Sequence, residues 1–178
     1  VNLVVLCPIA ENMPSGNALK PGDLVTAYNG LVVEVIDTDA EGRLILADAL
    51  AYGAKHYKAQ ATIDVATLTG SIIMALGYEA SGLFSNDDAL SRQLTACGEA
   101  TGERLWRFPV WEDYEHMVSS DLADLKNIYK GKGDAITGAI FLKRFAGEGA
   151  WAHLDIAGPS FLLEGREYRP KGSTGVGI

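Results

Sequence analysis

The run Asp37-Thr38-Asp39-Ala40-Glu41-Gly42-Arg43-Leu44 constrains this chain more than any other. An apolar stretch, LVVEVI, leads into it and reads as a strand. A helical stretch, ILADALAYGAKHYK, follows at once. Three carboxylates and a guanidinium are thus confined to one strand-to-helix connection. Carboxylates brought together repel, and one must take up a proton unless a counter-charge is supplied. A divalent cation with hard oxygen ligands removes that cost. Two other readings use the same residues. Thr38 and Glu41 have the spacing of a capping box, and carboxylates suit a helix's first turn. Capping and metal binding are compatible. Asp37, Asp39, Glu41 and Gly42 also fit the start of a calcium loop. That loop fits poorly, because its twelfth position holds Asp48 rather than Glu and a strand precedes it.

The rest of the chain alternates between strand and helix patterns. Residues 2–9 read as a buried strand. Residues 24–28 and 31–36 read as strands joined by Asn29-Gly30, a strong hairpin signal. A helix is predicted from Leu44 to about Tyr57, with Leu44, Ala47, Leu50, Ala51 and Ala54 along one side. Ala61–Leu68 reads as a strand ending at Thr69-Gly70-Ser71. Residues 87–100, 112–119 and Thr137–Phe145 read as helices, and Ala150–Ile156 as a strand closed by Gly158-Pro159. Helices between strands imply an α/β fold, and the hairpin adds antiparallel pairing. The expectation is a single domain over residues 1–178, a mixed β-sheet flanked by helices in three layers. Ligands in such folds collect at strand ends, where residues 37–43 and 67–70 are predicted to lie. Gly131-Lys132-Gly133-Asp134 lacks the spacing of a phosphate loop and reads as a surface turn.

Composition narrows the function classes. A chain of 178 residues with 48% hydrophobic content can bury one core. The net charge of −8, with no Lys/Arg block, argues against a nucleic-acid or anionic-membrane surface. No apolar run has the length of a membrane span. Cys7 and Cys97 form no C-x-x-C pair and read as buried free thiols of a reducing compartment. His56, His116 and His153 stand alone. His153 and Asp155 share a strand face and read as structural.

The run DTDAEGRL closely resembles the N-T-D-A-E-G-R-L signature of the leucyl aminopeptidases, the two-metal cytosol aminopeptidase family. ENMPSGNALKPGD (11–23), IDVATLTG (63–70), TGERLWRFP (101–109), LADLKNI (122–128) and WAHLDIAG (151–158) resemble the same family, in the family's order. The resemblance therefore covers nearly the whole chain. It implies removal of N-terminal residues from peptides, in the cytoplasm, by a hexamer holding two Zn or Mn ions per site. It implies that Asp39 ligates one metal and that Glu41 touches both. Residues two apart do not share a helix face, so this pair suits an irregular loop. Arg43 matches an arginine that holds a bicarbonate, which shuttles the proton of the attacking water. A guanidinium fork suits such a planar oxyanion, although Arg43 could instead bridge to Asp39 or Glu41. Leu68 matches a position whose backbone groups line the substrate and bicarbonate site. Thr67, Gly70, Ala157 and Ser160 match positions around the pocket for the N-terminal side chain. For each of these, packing at a strand end is the competing reading.

Two departures from the family pattern matter. The signature's first residue, near the leaving-group pocket, is usually Asn and is Asp37 here. The family's lysine-and-aspartate motif, second lysine and further aspartate lie upstream of the matching region, as does its N-terminal domain. The chain thus resembles the C-terminal part of a catalytic domain, and the expectation is that it is nearly or wholly inactive alone. A non-enzymatic role, as an assembly or binding fragment with an empty half-site, is the alternative.

Overall fold

The computed structural model describes residues 2–177. Its first ordered unit is the expected hairpin. Strands β1 (Leu24–Thr26) and β2 (Val32–Glu34) pair antiparallel. The turn between them needs Gly30, which adopts φ +92° and donates its N–H to the Ala27 carbonyl at 2.8 Å. Helix α1 (Gly42–His56) follows the carboxylate run and turns Ala47, Leu50 and Ala51 inward.

Strand β3 (Ala61–Ala66) leads into a short helix, α2 (Ser71–Leu76), where the sequence pattern showed only turn residues. Strand β4 (Ser81–Ser85) is followed by α3 (Asp88–Thr101). The Asp87 carboxylate caps α3, accepting the Leu90 N–H at 2.7 Å. Strand β5 (Leu105–Arg107) precedes a helix at Glu112–Val118, where one is expected, and it is of the 3₁₀ kind. Strand β6 (Leu125–Lys126), helix α4 (Asp134–Lys143) and strand β7 (Ala150–Asp155) complete the main body. Strands β8 (Phe161–Leu162) and β9 (Gly172–Ser173) form a small hairpin near the end.

Pairing is mixed, as expected. One sheet has the order β1-β2-β6, with β6 parallel to β2. The other has the order β3-β7-β4-β5, in which β7 runs parallel to β3 and antiparallel to β4. The alternation of side chains along β4 and β7 fixes the layers. Leu83, Ala152 and Leu154 point to one side, where Leu90 and Leu94 of α3 meet them. Phe84 and Trp151 point to the other, into a core shared with Ala139, Ile140 and Leu142 of α4 and Ala47 and Leu50 of α1. Central strands covered on both faces read as nearly continuous apolar runs.

Two expectations fail. Residues 2–9 form no strand, and Leu3, Val5 and Ile9 are 79%, 76% and 88% exposed. Among the described residues no strand pairs with this segment, and a lone strand has nothing to bond to. Cys7 and Cys97 are free but exposed, not buried. Cys7 lies in that unpaired segment, and Cys97 faces outward from α3.

The parallel pairs set up the site. Strands β2 and β6 end side by side, as do β3 and β7. Their C-terminal connections, at residues 37–41, 127–133, 67–70 and 156–160, are linked by the contacts described next.

Candidate metal and substrate site

The backbone at Asp37 is extended, with φ −142° and ψ 129°, and its Oδ1 accepts the Asp39 N–H at 3.1 Å. Thr38–Ala40 then makes one 3₁₀ turn before Glu41 and α1. The capping box between Thr38 and Glu41 does not form. Asp37 is the cap, one residue earlier, and Glu41 makes no side-chain bond to the helix N-terminus. The second Asp37 oxygen stands 3.8 Å from the Lys130 ammonium.

This leaves Asp39 and Glu41 exposed, with no ion pair among the described residues. Arg43 is 3% exposed and bonds to neither of them. It donates from Nη1 to the Asn127 carbonyl at 2.8 Å, and its Nη2 lies 3.6 Å from Asp134 Oδ1. Burial lowers the guanidinium's pKa, while Asp134, then Asp155 and Glu41, pull it back up. An arginine so placed stays protonated. The bridge from Arg43 to Asp39 or Glu41 is thus replaced by a deeper one to Asp134.

The connection after β3 is held from beneath. Asp155, fully buried, accepts the Leu68 N–H on one oxygen and both the Thr69 N–H and hydroxyl on the other, at 3.1, 3.1 and 2.7 Å. The Ala157 N–H joins the first oxygen at 3.2 Å. Burial pushes the Asp155 carboxyl above the usual carboxylate range, and the Thr69 hydroxyl, His153 and the backbone donors oppose it. Leu68 and Ala157 are therefore brought together on one carboxylate. The Leu68 N–H is committed to Asp155. Thr67 and Gly70 flank this stretch and are exposed, and Ser160 turns its hydroxyl to the Ala157 carbonyl at 3.3 Å.

Helix α4 closes the site through a missing side chain. A Cβ on Gly138 would stand 3.2 Å from Leu68, 3.3 Å from Thr69 and 3.5 Å from Arg43 Nη2. Gly138 thus places the 67–69 connection and the guanidinium against one helix face.

Two unpaired carboxylates beside a buried cation are hard oxygen donors of the kind a Zn, Mn or similar divalent ion accepts. They are part of a ligand set only. Among the described residues no group of three or more His, Cys, Asp or Glu side chains gathers into a metal cluster. The histidines stand apart. His153 Nδ1 bonds Asp64, which also accepts the Trp151 indole N–H at 2.7 Å. His56 meets the Tyr28 hydroxyl, and His116 the Asp113 carbonyl.

Asn127, Asp134, Gly138 and Asp155 escaped the sequence reading. Asp134 was hidden in a run that reads as a surface turn, and Asp155 in a strand face that reads as structural. Asn127 and Asp155 lie inside family-like runs, and that was their only signal.

The family model described as "Cytosol aminopeptidase family, catalytic domain" matches residues 1–178. A probable cytosol aminopeptidase of Geotalea uraniireducens is 52% identical over 177 residues, 99% of this chain and 36% of the relative. One from Geobacter sulfurreducens is 53% identical over 178 residues, 100% of this chain and 36% of the relative. Among solved structures, a tomato leucine aminopeptidase mutant superposes with TM-score 0.87 at 47% identity, covering 94% of this chain and 32% of its own. The bottromycin maturation enzyme BotP in complex with Mn gives TM-score 0.90 at 40% identity, covering 95% and 38%. The chain belongs to the cytosol aminopeptidase family. It spans 36% of the length of these curated relatives.

Proposed function

We propose that this chain forms part of the active site of a two-metal aminopeptidase that removes N-terminal residues, leucine-like ones preferred, from peptides. The observation that carries the reading is the pair of exposed, unpaired carboxylates, Asp39 and Glu41, beside the buried Arg43. The names of its relatives and the Mn in the BotP structure support it.

Asp39 and Glu41 would hold the metal edge of the site. When bound, the two ions lower the pKa of an attacking water and polarise the scissile carbonyl, and a bicarbonate supplies the base. Arg43 would bind that planar oxyanion through its guanidinium edge, with Asp134 offsetting the cost of burying its charge. Because the Leu68 N–H already serves Asp155, this amide is not the donor that stabilises an oxyanion. Thr67, Gly70, Ala157 and Ser160 shape the pocket for the N-terminal side chain, and small residues there leave room for leucine. Asp37 sits toward the leaving group, with Lys130 opposite.

The 178-residue chain alone is inactive or nearly so. The chain spans 36% of the length of its curated relatives, and a metal is held by ligand count and geometry. The working protein is cytoplasmic and hexameric in this reading. Exposed apolar residues of segment 2–9 favour self-association of the isolated chain, the assembly role left open by the sequence. No helix of the described residues is long and apolar enough to cross a membrane.

Metal analysis tests the reading. The natural full-length protein should carry two Zn- or Mn-class ions per chain, and the 178-residue chain at most one, weakly held. A full-length protein without such ions, or one holding calcium, would overturn it.

A further inference from the structure

We propose that Asn127 is a positioning residue of this site, holding the 36–41 bend and Arg43 as one unit so that Asp39 and Glu41 face a divalent cation in fixed geometry. The proposal rests on the reading of Asp39 and Glu41 as metal carboxylates.

Asn127 is fully buried at the end of β6, and its own N–H donates to the Glu34 carbonyl at 2.9 Å. Its side-chain amide is spent entirely on the neighbouring bend. Oδ1 accepts the Ile36 N–H at 2.8 Å and the Asp37 N–H at 3.4 Å. Nδ2 donates to the Asp37 carbonyl at 2.7 Å and the Ala40 carbonyl at 3.4 Å. Both ends of the turn that carries Asp39 are therefore gripped by one side chain. The Asn127 main-chain carbonyl then accepts Arg43 Nη1.

No side-chain hydrogen bond or ion pair holds Asp39 or Glu41 among the described residues. The backbone that carries them is held by Asn127 together with the Asp37 cap. Only a primary amide both donates and accepts in this arrangement. A carboxylate at 127 would oppose the Asp37 and Ala40 carbonyls, and alanine would leave buried backbone groups unpaired. Groups that orient metal ligands from behind typically change metal affinity by ~10–100-fold when removed.

The experiment measures Mn²⁺ affinity of the natural full-length protein by titration calorimetry. Wild type is compared with Asn127→Ala, Asp39→Ala and the double variant. A further variant, Ser85→Ala, removes a buried hydroxyl that donates to the Trp151 carbonyl at 2.6 Å, away from the site. Asn127→Ala should weaken Mn²⁺ by ~10–100-fold. The double variant should bind only a few-fold more weakly than Asp39→Ala alone, because Glu41 is then the one carboxylate of the pair left for the bend to aim. Ser85→Ala should lower the melting temperature and leave Mn²⁺ affinity unchanged. If Asn127→Ala does not fold, Asn127→Ser should show the same direction with a smaller loss. Unchanged affinity in the Asn127 variants, or a loss that adds in full to that of Asp39→Ala, overturns the proposal. Wild type that binds no Mn²⁺, or binds it no better than Asp39→Ala, overturns the metal reading itself and the proposal with it.

Discussion

Nη2 of Arg43 stands 3.6 Å from Oδ1 of Asp134, an oxygen that accepts no hydrogen bond among the described residues. A guanidinium this deeply buried needs a counter-charge, and Asp134 is the one within reach. Asp134→Ala should destabilise the fold by about 1–3 kcal/mol, the range for losing a charged partner of a buried group. Asp134→Asn keeps an acceptor for the Ser71 hydroxyl, now 3.2 Å away, and should cost less. Urea midpoints check both. Unchanged midpoints would mean that Arg43 is balanced elsewhere.

Asp155 gives a pH signature. Its folded pKa is raised above the usual 3.8, so the folded state binds the proton more tightly than the unfolded chain. Its contribution is therefore fully present below 3.8 and declines as pH rises through the higher folded value. Asp155→Asn should remove that slope. It should also cost about 1–3 kcal/mol near neutral pH, because the amide keeps one accepting oxygen and turns its NH2 toward either the Thr69 N–H or the Leu68 and Ala157 N–H groups. Stability of both proteins measured from acid to neutral pH decides this. Parallel curves would show that Asp155 does not titrate differently on folding.

Gly138→Ala sets two effects against each other. Alanine favours a helix interior by roughly 1 kcal/mol over glycine. The new methyl would press on Leu68 and Thr69 at 3.2 and 3.3 Å, and would touch Arg43 Nη2 at 3.5 Å. Stability should stay within about 1 kcal/mol of wild type, while turnover in the full-length protein falls. Gly82→Ala, whose methyl would meet Ile72 at 2.6 Å, should instead destabilise by about 1–3 kcal/mol. Similar melting shifts for the two would count against this distinction.

Asp37→Asn should hardly alter stability. An Asn side-chain oxygen caps the Asp39 N–H as well as Asp does, and the lost pair with Lys130 is solvent-exposed, worth about 0–1 kcal/mol. Its effect should fall on substrate choice. Peptides with Lys after the scissile bond should lose ground against those with Glu. Equal kcat/KM ratios for wild type and Asp37→Asn would assign Asp37 to capping alone.

How much of this was legible in the sequence depends on range. The Asn29-Gly30 hairpin, α1, α3 and the strands at 61–66 and 150–155 follow from local turn chemistry and periodicity. So does the placing of Asp37 to Arg43 at a strand end. What local pattern cannot carry is which distant groups meet them. Asn127 lies 84 residues from Arg43 and Asp155 lies 87 from Leu68, and only the parallel pairing of β2 with β6 and of β3 with β7 brings them together. The same limit misled at residues 2–9 and at both cysteines. An apolar pattern shows what a segment could bury, and not whether a neighbour is there to cover it.

Hydrolysis of leucine p-nitroanilide by the natural full-length protein, with added Mn²⁺ or Zn²⁺, tests the central claim most directly when wild type is run beside Asp39→Ala/Glu41→Ala and beside the 178-residue chain alone. Wild type should turn over, the double variant should lose at least ~10²-fold, and the chain alone should show almost no activity. A double variant as fast as wild type, or a 178-residue chain at the full rate, would contradict the assignment of Asp39 and Glu41 to one half of a two-metal site.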